Sequence, residues 1–209
     1  MEKFIERCTE QVIGIYEQFD ASHDFDHILR VMRNAEMIAR TLPEADMAIV
    51  RLAALLHDVD DPKYKTESGV SVKELLHSSG VDADMTKRIL ETIKSVSFNG
   101  GNEEEIVSIE GAILRDADRL DAIGAIGIAR TFAFGGARGR KLYDANEIAR
   151  TNMSESEYRS KNTSSVTHFY EKLLLLKDLM VTEEGKRLAD ERHKFMLGFL
   201  EQLKREVGI

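Results

Sequence analysis

Apolar residues recur at helical spacing along most of the chain, and no strand-like alternation persists long enough to build a sheet. Phe4, Ile5, Cys8, Val12, Ile15 and Phe19 predict a first helix from about Glu2 to Phe19. The polar run DASHDFDH then reads as a turn and N-cap, and ILRVMRNAEMIARTL as a second helix. Pro43 and the acids after it start a third, which closes at HDVDDP, where Pro62 stops it. Residues Tyr64 to Val70 read as a loop. SVKELLHSSG is a short helix closed by Gly80, and ADMTKRILETIKSVSF is another, ended by a turn at Asn99 to Gly101.

The region EEEIVSIEGAILRDADRLDAIGAIGIARTFAF predicts one long helix, or two joined near the charged interruption Asp116 to Asp121. FGGARGRKLYDANEIARTNMSESEYRSKN is weakly periodic and reads as an inserted loop. SSVTHFYEKLLLLKDLM and EEGKRLADERHKFMLGFLEQLKREV are the final helices, and the Leu173 to Leu176 run is core packing. There is no internal repeat, low-complexity tract or linker. The expectation is one all-α domain over residues 1–209, with a core at about 20–125 completed by C-terminal helices at about 163–206.

Composition narrows the classes of function. The 209 residues include 43% hydrophobic and 32% charged residues, only 2 prolines and no tryptophan, which suits a helical globular protein. A net charge of −8 argues against broad nucleic-acid or membrane binding, because no wide basic face is available. The single cysteine, Cys8, excludes an internal disulfide and fits a reducing cytoplasm; its place in an amphipathic helix makes it a packing residue. The first residues lack the apolar core of a signal peptide, and no apolar run reaches the ~20 residues of a membrane span.

Three segments place acids or histidines where an apolar helical face would otherwise run. They are HDFDHILRV, with His23, Asp24, Asp26 and His27; LLHDVDD, with His57, Asp58, Asp60 and Asp61; and RDADRLDAIG, with Asp116, Asp118 and Asp121. Burying such groups is costly unless they are paired or share a cation. One metal could satisfy all three segments, with imidazole nitrogens from His27 and His57 and carboxylates from Asp58 and Asp118. A mixed nitrogen and oxygen set without thiolate suits Mn, Mg, Ni, Fe, Co or Zn in an open site more than a closed structural zinc. Adjacent His57 and Asp58 point about 100° apart on an ideal helix, so both can serve one ion only where the helix ends.

In order and context these residues resemble the HD-domain metal-dependent phosphohydrolases. HDFDHILRV, LAALLHDVDDPKY, DADRLDAIGAIGIAR and HFYEKLLLLKDLM together resemble the bacterial single-domain branch of about this length, so the likeness covers nearly the whole chain. The resemblance implies an all-α fold, one divalent metal on His27, His57, Asp58 and Asp118, and cleavage of a phosphoester or phosphoanhydride in a nucleotide. Many HD enzymes place an acid where Asp61 stands, which assigns Asp61 to orienting the attacking water or acting as general base. Asp is shorter than the Glu often found there. Dinuclear relatives add histidines on later helices; here only His77 lies between the HD pair and Asp118, which favours one metal.

A phosphate substrate needs further positive charge. The candidates are Arg30, Lys63, Lys65, Lys94, Arg119, and the pair His168 and Lys172, four apart on one expected helix face. GGARGR is not a P-loop, but its backbone N–H groups with Arg138 and Arg140 make a candidate lid. Asp121 reads as a supporting partner of Arg119 or of a metal histidine. His23, His77 and His193 read as structural or exposed. The resemblance favours hydrolysis of nucleoside triphosphates to monophosphate and pyrophosphate. A nucleoside monophosphate phosphatase or another phosphoesterase, a non-catalytic nucleotide sensor and a metal-free interaction module stay open. A homodimer would cover spare apolar surface.

Overall fold

The computed structural model describes residues 2–20, 23–60, 69–96, 105–150 and 163–208. Among them every regular element is helical, as the periodicity predicts. The chain forms two compact units: Met1–Ser97 with Glu104–Asp118, and Phe98–Glu103 with Arg119–Ile209.

The first unit is built around the most apolar helix. α1 (Glu2–Tyr16) and α2 (Phe25–Ala39) precede α3 (Met47–Leu56). Ile49, Val50, Leu52, Ala53, Ala54, Leu55 and Leu56 of α3 are all buried, against α2, α5 (Ala83–Lys94) and α1. Each fully buried leucine or isoleucine there contributes about 1.5–3 kcal/mol of transfer free energy. α1 ends at Tyr16, short of Phe19, and α3 begins at Met47 rather than at Pro43. The start is set by Asp46, whose carboxylate accepts from the N–H groups of Ala48 and Ile49. α3 ends at Leu56, well before Pro62, so the proline is not its terminator. α4 (Val72–Ser78) opens with a Ser71–Glu74 capping box. Cys8 packs in this unit, fully buried, with Sγ 3.2 Å from Ser79 Oγ, and burial pushes its thiol pKa up. α6 (Ile109–Asp121) is held here by Glu110, which accepts from the N–H of Asp46 at 3.0 Å, and by Asn34, which donates to the Ala117 carbonyl at 3.1 Å.

The second unit holds the end of α6, α7 (Gly124–Ala137), α8 (Ser165–Glu171), a 3₁₀ helix (Leu173–Leu179) and α9 (Glu183–Val207). The long region thus divides into two helices, with the break just after Asp121. Gly124 sits at φ +74°, where a side chain would be strained and would press on Arg192 at 3.0 Å. Phe132, Phe169 and Phe199 pack together with ring centroids 5.9–6.1 Å apart. The expected helix through HFYEKLLLLKDLM is interrupted. Lys172 adopts φ −141°, ψ −61°, and the chain resumes as a tighter 3₁₀ helix with Leu173 and Leu176 buried. α7 continues through Gly135 and Gly136, so the irregular segment starts at Arg138, three residues later than the pattern implied. Arg150 and Glu171 tie that segment to α8 through Nε–Oε1 and Nη2–Oε2 contacts of 2.7 and 3.0 Å.

Candidate metal centre

His27 lies in the first turn of α2, where Asp24 caps the helix and accepts from the His27 N–H at 2.9 Å. His57 is the C-cap of α3, and Asp58 follows in the turn. His57 itself keeps helical dihedrals, φ −63° and ψ −30°, and the chain leaves the helix from there. Asp118 comes from α6.

The side chains converge. Asp58 Oδ2 is 3.4 Å from His27 Nε2, and Asp58 Oδ1 is 3.4 Å from His57 Nε2. Asp118 Oδ1 is 3.6 Å from His27 Nε2 and 3.9 Å from His57 Nε2. Ligand atoms of His27, His57 and Asp118 all lie within 4.8 Å of one another. Donors ~2.1 Å from one ion at right angles stand ~3 Å apart, close to this spacing.

Protonation supports the fit. His57 Nδ1 lies 2.9 Å from the Ala54 carbonyl, which holds the ring with Nε2 facing the cluster. His57 Nε2 and Asp58 Oδ2 are buried and have no hydrogen-bond partner among the described residues. Such atoms are rare unless something else satisfies them. Burial works to raise the pKa of Asp58; His57, then His27, outweigh it and hold the carboxyl below the usual carboxylate range. The set fits a divalent cation: two imidazole nitrogens, carboxylate oxygens, no thiolate.

The remaining candidates fare differently. Arg30 sits on α2, one turn from His27. Asp61 and Lys65, like Lys63, lie outside the described residues. Lys94 lines a 510 Å³ cleft with Arg88, Ser108 and Glu110, at the start of α6. Asp118 is eight residues further along α6, ~12 Å at helical rise, so Lys94 belongs to a different surface from the cluster. Arg119 is buried, and its Nη1 donates to the Leu179 carbonyl, which occupies part of the guanidinium. Asp121 pairs with Arg130 at 2.6 Å, a partner the sequence did not single out. In the second unit, Arg138 lies over the Phe134 ring at 3.5 Å and Arg140 at 5.4 Å. The N–H groups of Arg138, Gly139 and Arg140 bond to the carbonyls of Gly135 and Gly136, so they do not form the open N–H cradle expected of GGARGR. His168 and Lys172 do not share a regular helix face, because the helix breaks at Lys172. They are still electrostatic neighbours: burial, then Lys172 and Arg140, push the His168 pKa down to about 4.

His23 was read as structural or exposed, yet its ring lies 5.5 Å from that of His27, the same separation as between His27 and His57. Its Nδ1 is 3.5 Å from Asp20 Oδ1. The available signal was its four-residue spacing from His27, which spans the N-cap and so does not follow helix geometry.

An all-helical chain with this order of residues belongs to the HD-domain family, and is an HD-superfamily hydrolase. The HD domain family model matches residues 24–123. The Bacillus subtilis (strain 168) protein YpgQ is 39% identical over 210 residues, covering 98% of this chain and 94% of that one. The structure of YpgQ in complex with ADP matches with a TM-score of 0.79, 35% identity, and coverage of 98% and 95% of the two chains. A Lactobacillus plantarum protein matches with a TM-score of 0.83, 33% identity, and 100% and 98% coverage. An HD-superfamily hydrolase from Bacillus thuringiensis matches with a TM-score of 0.77, 38% identity, and 99% and 98% coverage. Among the described residues, no single helix is long and apolar enough to cross a membrane.

Proposed function

We propose that this hydrolase is a divalent-metal-dependent nucleotide phosphohydrolase that converts nucleoside triphosphates to monophosphate and pyrophosphate. The observation that carries the reading is the convergence of His27, His57, Asp58 and Asp118, with Nε2 of His57 turned toward the other side chains. The complex of the relative YpgQ with ADP supports a nucleotide as the ligand class.

His27, His57, Asp58 and Asp118 hold the ion. When bound, the ion withdraws charge from a phosphoryl oxygen and acidifies a neighbouring water. The Ala54 carbonyl keeps the His57 ring in its donor orientation, and Asp58 stays ionised at neutral pH. We assign Asp61 to orienting the attacking water and accepting its proton. Arg30 and Lys65 balance charge on the phosphate oxygens. In the second unit, Arg140, His168 and Lys172 form a basic cluster suited to an anion. Asp121, through Arg130, is a supporting residue. The chain works as one HD domain, a reading supported by solved relatives that match along its whole length.

The test measures phosphate and pyrophosphate release separately, from a panel of nucleoside mono- and triphosphates with Mn²⁺, for wild type and Asp58→Ala. Pyrophosphate from triphosphates, lost in the variant, is the expected result. Phosphate from monophosphates would make the protein a nucleotidase instead. Saturable nucleotide binding without turnover would overturn the enzymatic reading in favour of a sensor.

A further inference from the structure

Tyr16 is fully buried at the end of α1. Its ring meets Phe19 edge-on at 5.3 Å and lies 6.3 Å from Phe25. Its hydroxyl donates to the Leu55 carbonyl at 2.8 Å, and its oxygen faces the backbone N–H of Asp58. These two backbone groups bracket the point where α3 gives way to the turn that presents His57 and Asp58.

The last carbonyls of any helix lack intrahelical partners. α3 satisfies three in succession by different means. The Ala54 carbonyl faces the His57 ring, Leu55 accepts from Tyr16, and Leu56 accepts from the Val59 N–H at 3.2 Å. The first and third partners come from the turn itself. The middle one comes from another helix and ties the turn to α1, as the Val72 N–H, donating to Asp60 at 3.2 Å, ties its far end to α4.

We propose that Tyr16 is a positioning residue for the metal centre: its hydroxyl braces the His57–Asp58 turn from α1 and keeps both donors directed at one ion. The proposal deepens, and rests on, the metal-dependent reading above. A phenylalanine would fill the same space and keep the ring contacts, but it would leave the Leu55 carbonyl unsatisfied and the His57–Asp58 turn without its tie to α1.

The test compares Tyr16→Phe with Val12→Ala, a substitution at a fully buried position one turn earlier on α1. Mn²⁺ affinity is measured by calorimetry, and amide hydrogen exchange at Asp58 is measured in the metal-free protein. Tyr16→Phe should retain the wild-type circular dichroism, weaken Mn²⁺ binding about tenfold, and speed exchange at Asp58. Val12→Ala should lower the urea midpoint and leave both readouts unchanged. Wild-type affinity in Tyr16→Phe would overturn the proposal. So would an equal loss of affinity in Val12→Ala, because that would trace the effect to general destabilisation. If wild type binds no divalent ion, the metal reading fails, and exchange at Asp58 decides separately whether the brace exists.

Discussion

Asn34 Nδ2 donates to the carbonyl of Ala117 at 3.1 Å, so the helix that carries His27 also holds the residue just before Asp118. The bond is buried and 83 residues long-range. Asn34→Ala should cost about 1 kcal/mol, the usual net worth of one hydrogen bond, because the Ala117 carbonyl lies inside α6 and keeps its helical partner. Because the bond fixes α6 beside Asp118, Mn²⁺ affinity should fall as well. Urea unfolding and calorimetry on the same variant check both; lost stability with unchanged affinity would separate the bond from the metal centre.

Gly127→Ala should be among the most damaging small substitutions. A Cβ there would lie 2.2 Å from the backbone oxygen of Ala122, in the link between α6 and α7. A backbone atom cannot swing aside as a side-chain tip can. The expected loss is at least ~2 kcal/mol, the scale of overpacking and forced backbone shifts. Gly136→Ala, which meets nothing within 4 Å, is the matched control and should leave the thermal midpoint nearly unchanged.

The Arg150–Glu171 pair makes stability depend on pH. Burial works to raise the Glu171 pKa, but bonds from Arg150 and Thr163 outweigh it and hold the carboxyl below 4.5. A depressed folded-state pKa means that the stabilisation is fully present above the unfolded value. It is lost as pH falls through the folded value. Glu171→Gln should cost about 3 kcal/mol at neutral pH, toward the low end for a broken buried pair because the Arg150 side chain is 23% exposed. The gap from wild type should narrow as urea titrations move below about pH 4.5.

His168 gives a second signature, of a different origin. Its pKa lies at about 4, against an ordinary 6.5, because of burial and then Lys172 and Arg140. The unfolded chain therefore binds this proton more tightly. Its contribution to stability declines as pH drops from about 6.5 toward 4 and levels off below. Pyrophosphate bound at the cluster would offset the cations and raise the His168 pKa. NMR titration of the His168 ring with and without pyrophosphate checks this; an unmoved titration curve would remove His168 from the anion site.

The convergence of His27, His57, Asp58 and Asp118 was legible because their residue types conflict with their surroundings. Each interrupts an apolar helical face, and the helix end at Leu56 was required by the adjacency of His57 and Asp58. The details that escaped are those in which long-range packing overrides local pattern. Lys172 continues the helical periodicity perfectly well, yet Leu173 and Leu176 bury by tightening into a 3₁₀ turn. Pro43 is a good helix starter, but Asp46 supplies the carboxylate that caps α3. Lys94 carries the right charge at the wrong end of α6. Tyr16 was not singled out on α1, because nothing in its spacing records that Leu55 and Asp58 lie at its hydroxyl.

Histidine 27 and aspartate 118 are 91 residues apart in sequence, and neither the α2 N-terminus nor the α3 end can form the cluster without α6. Closing so long a loop carries an entropic cost that nearby helix contacts must first offset. An ion that binds the finished cluster therefore has little to hold in the folding transition state. Such an ion would act as a lock on the assembled molecule, slowing escape from the native state while leaving the rate of arrival almost unchanged.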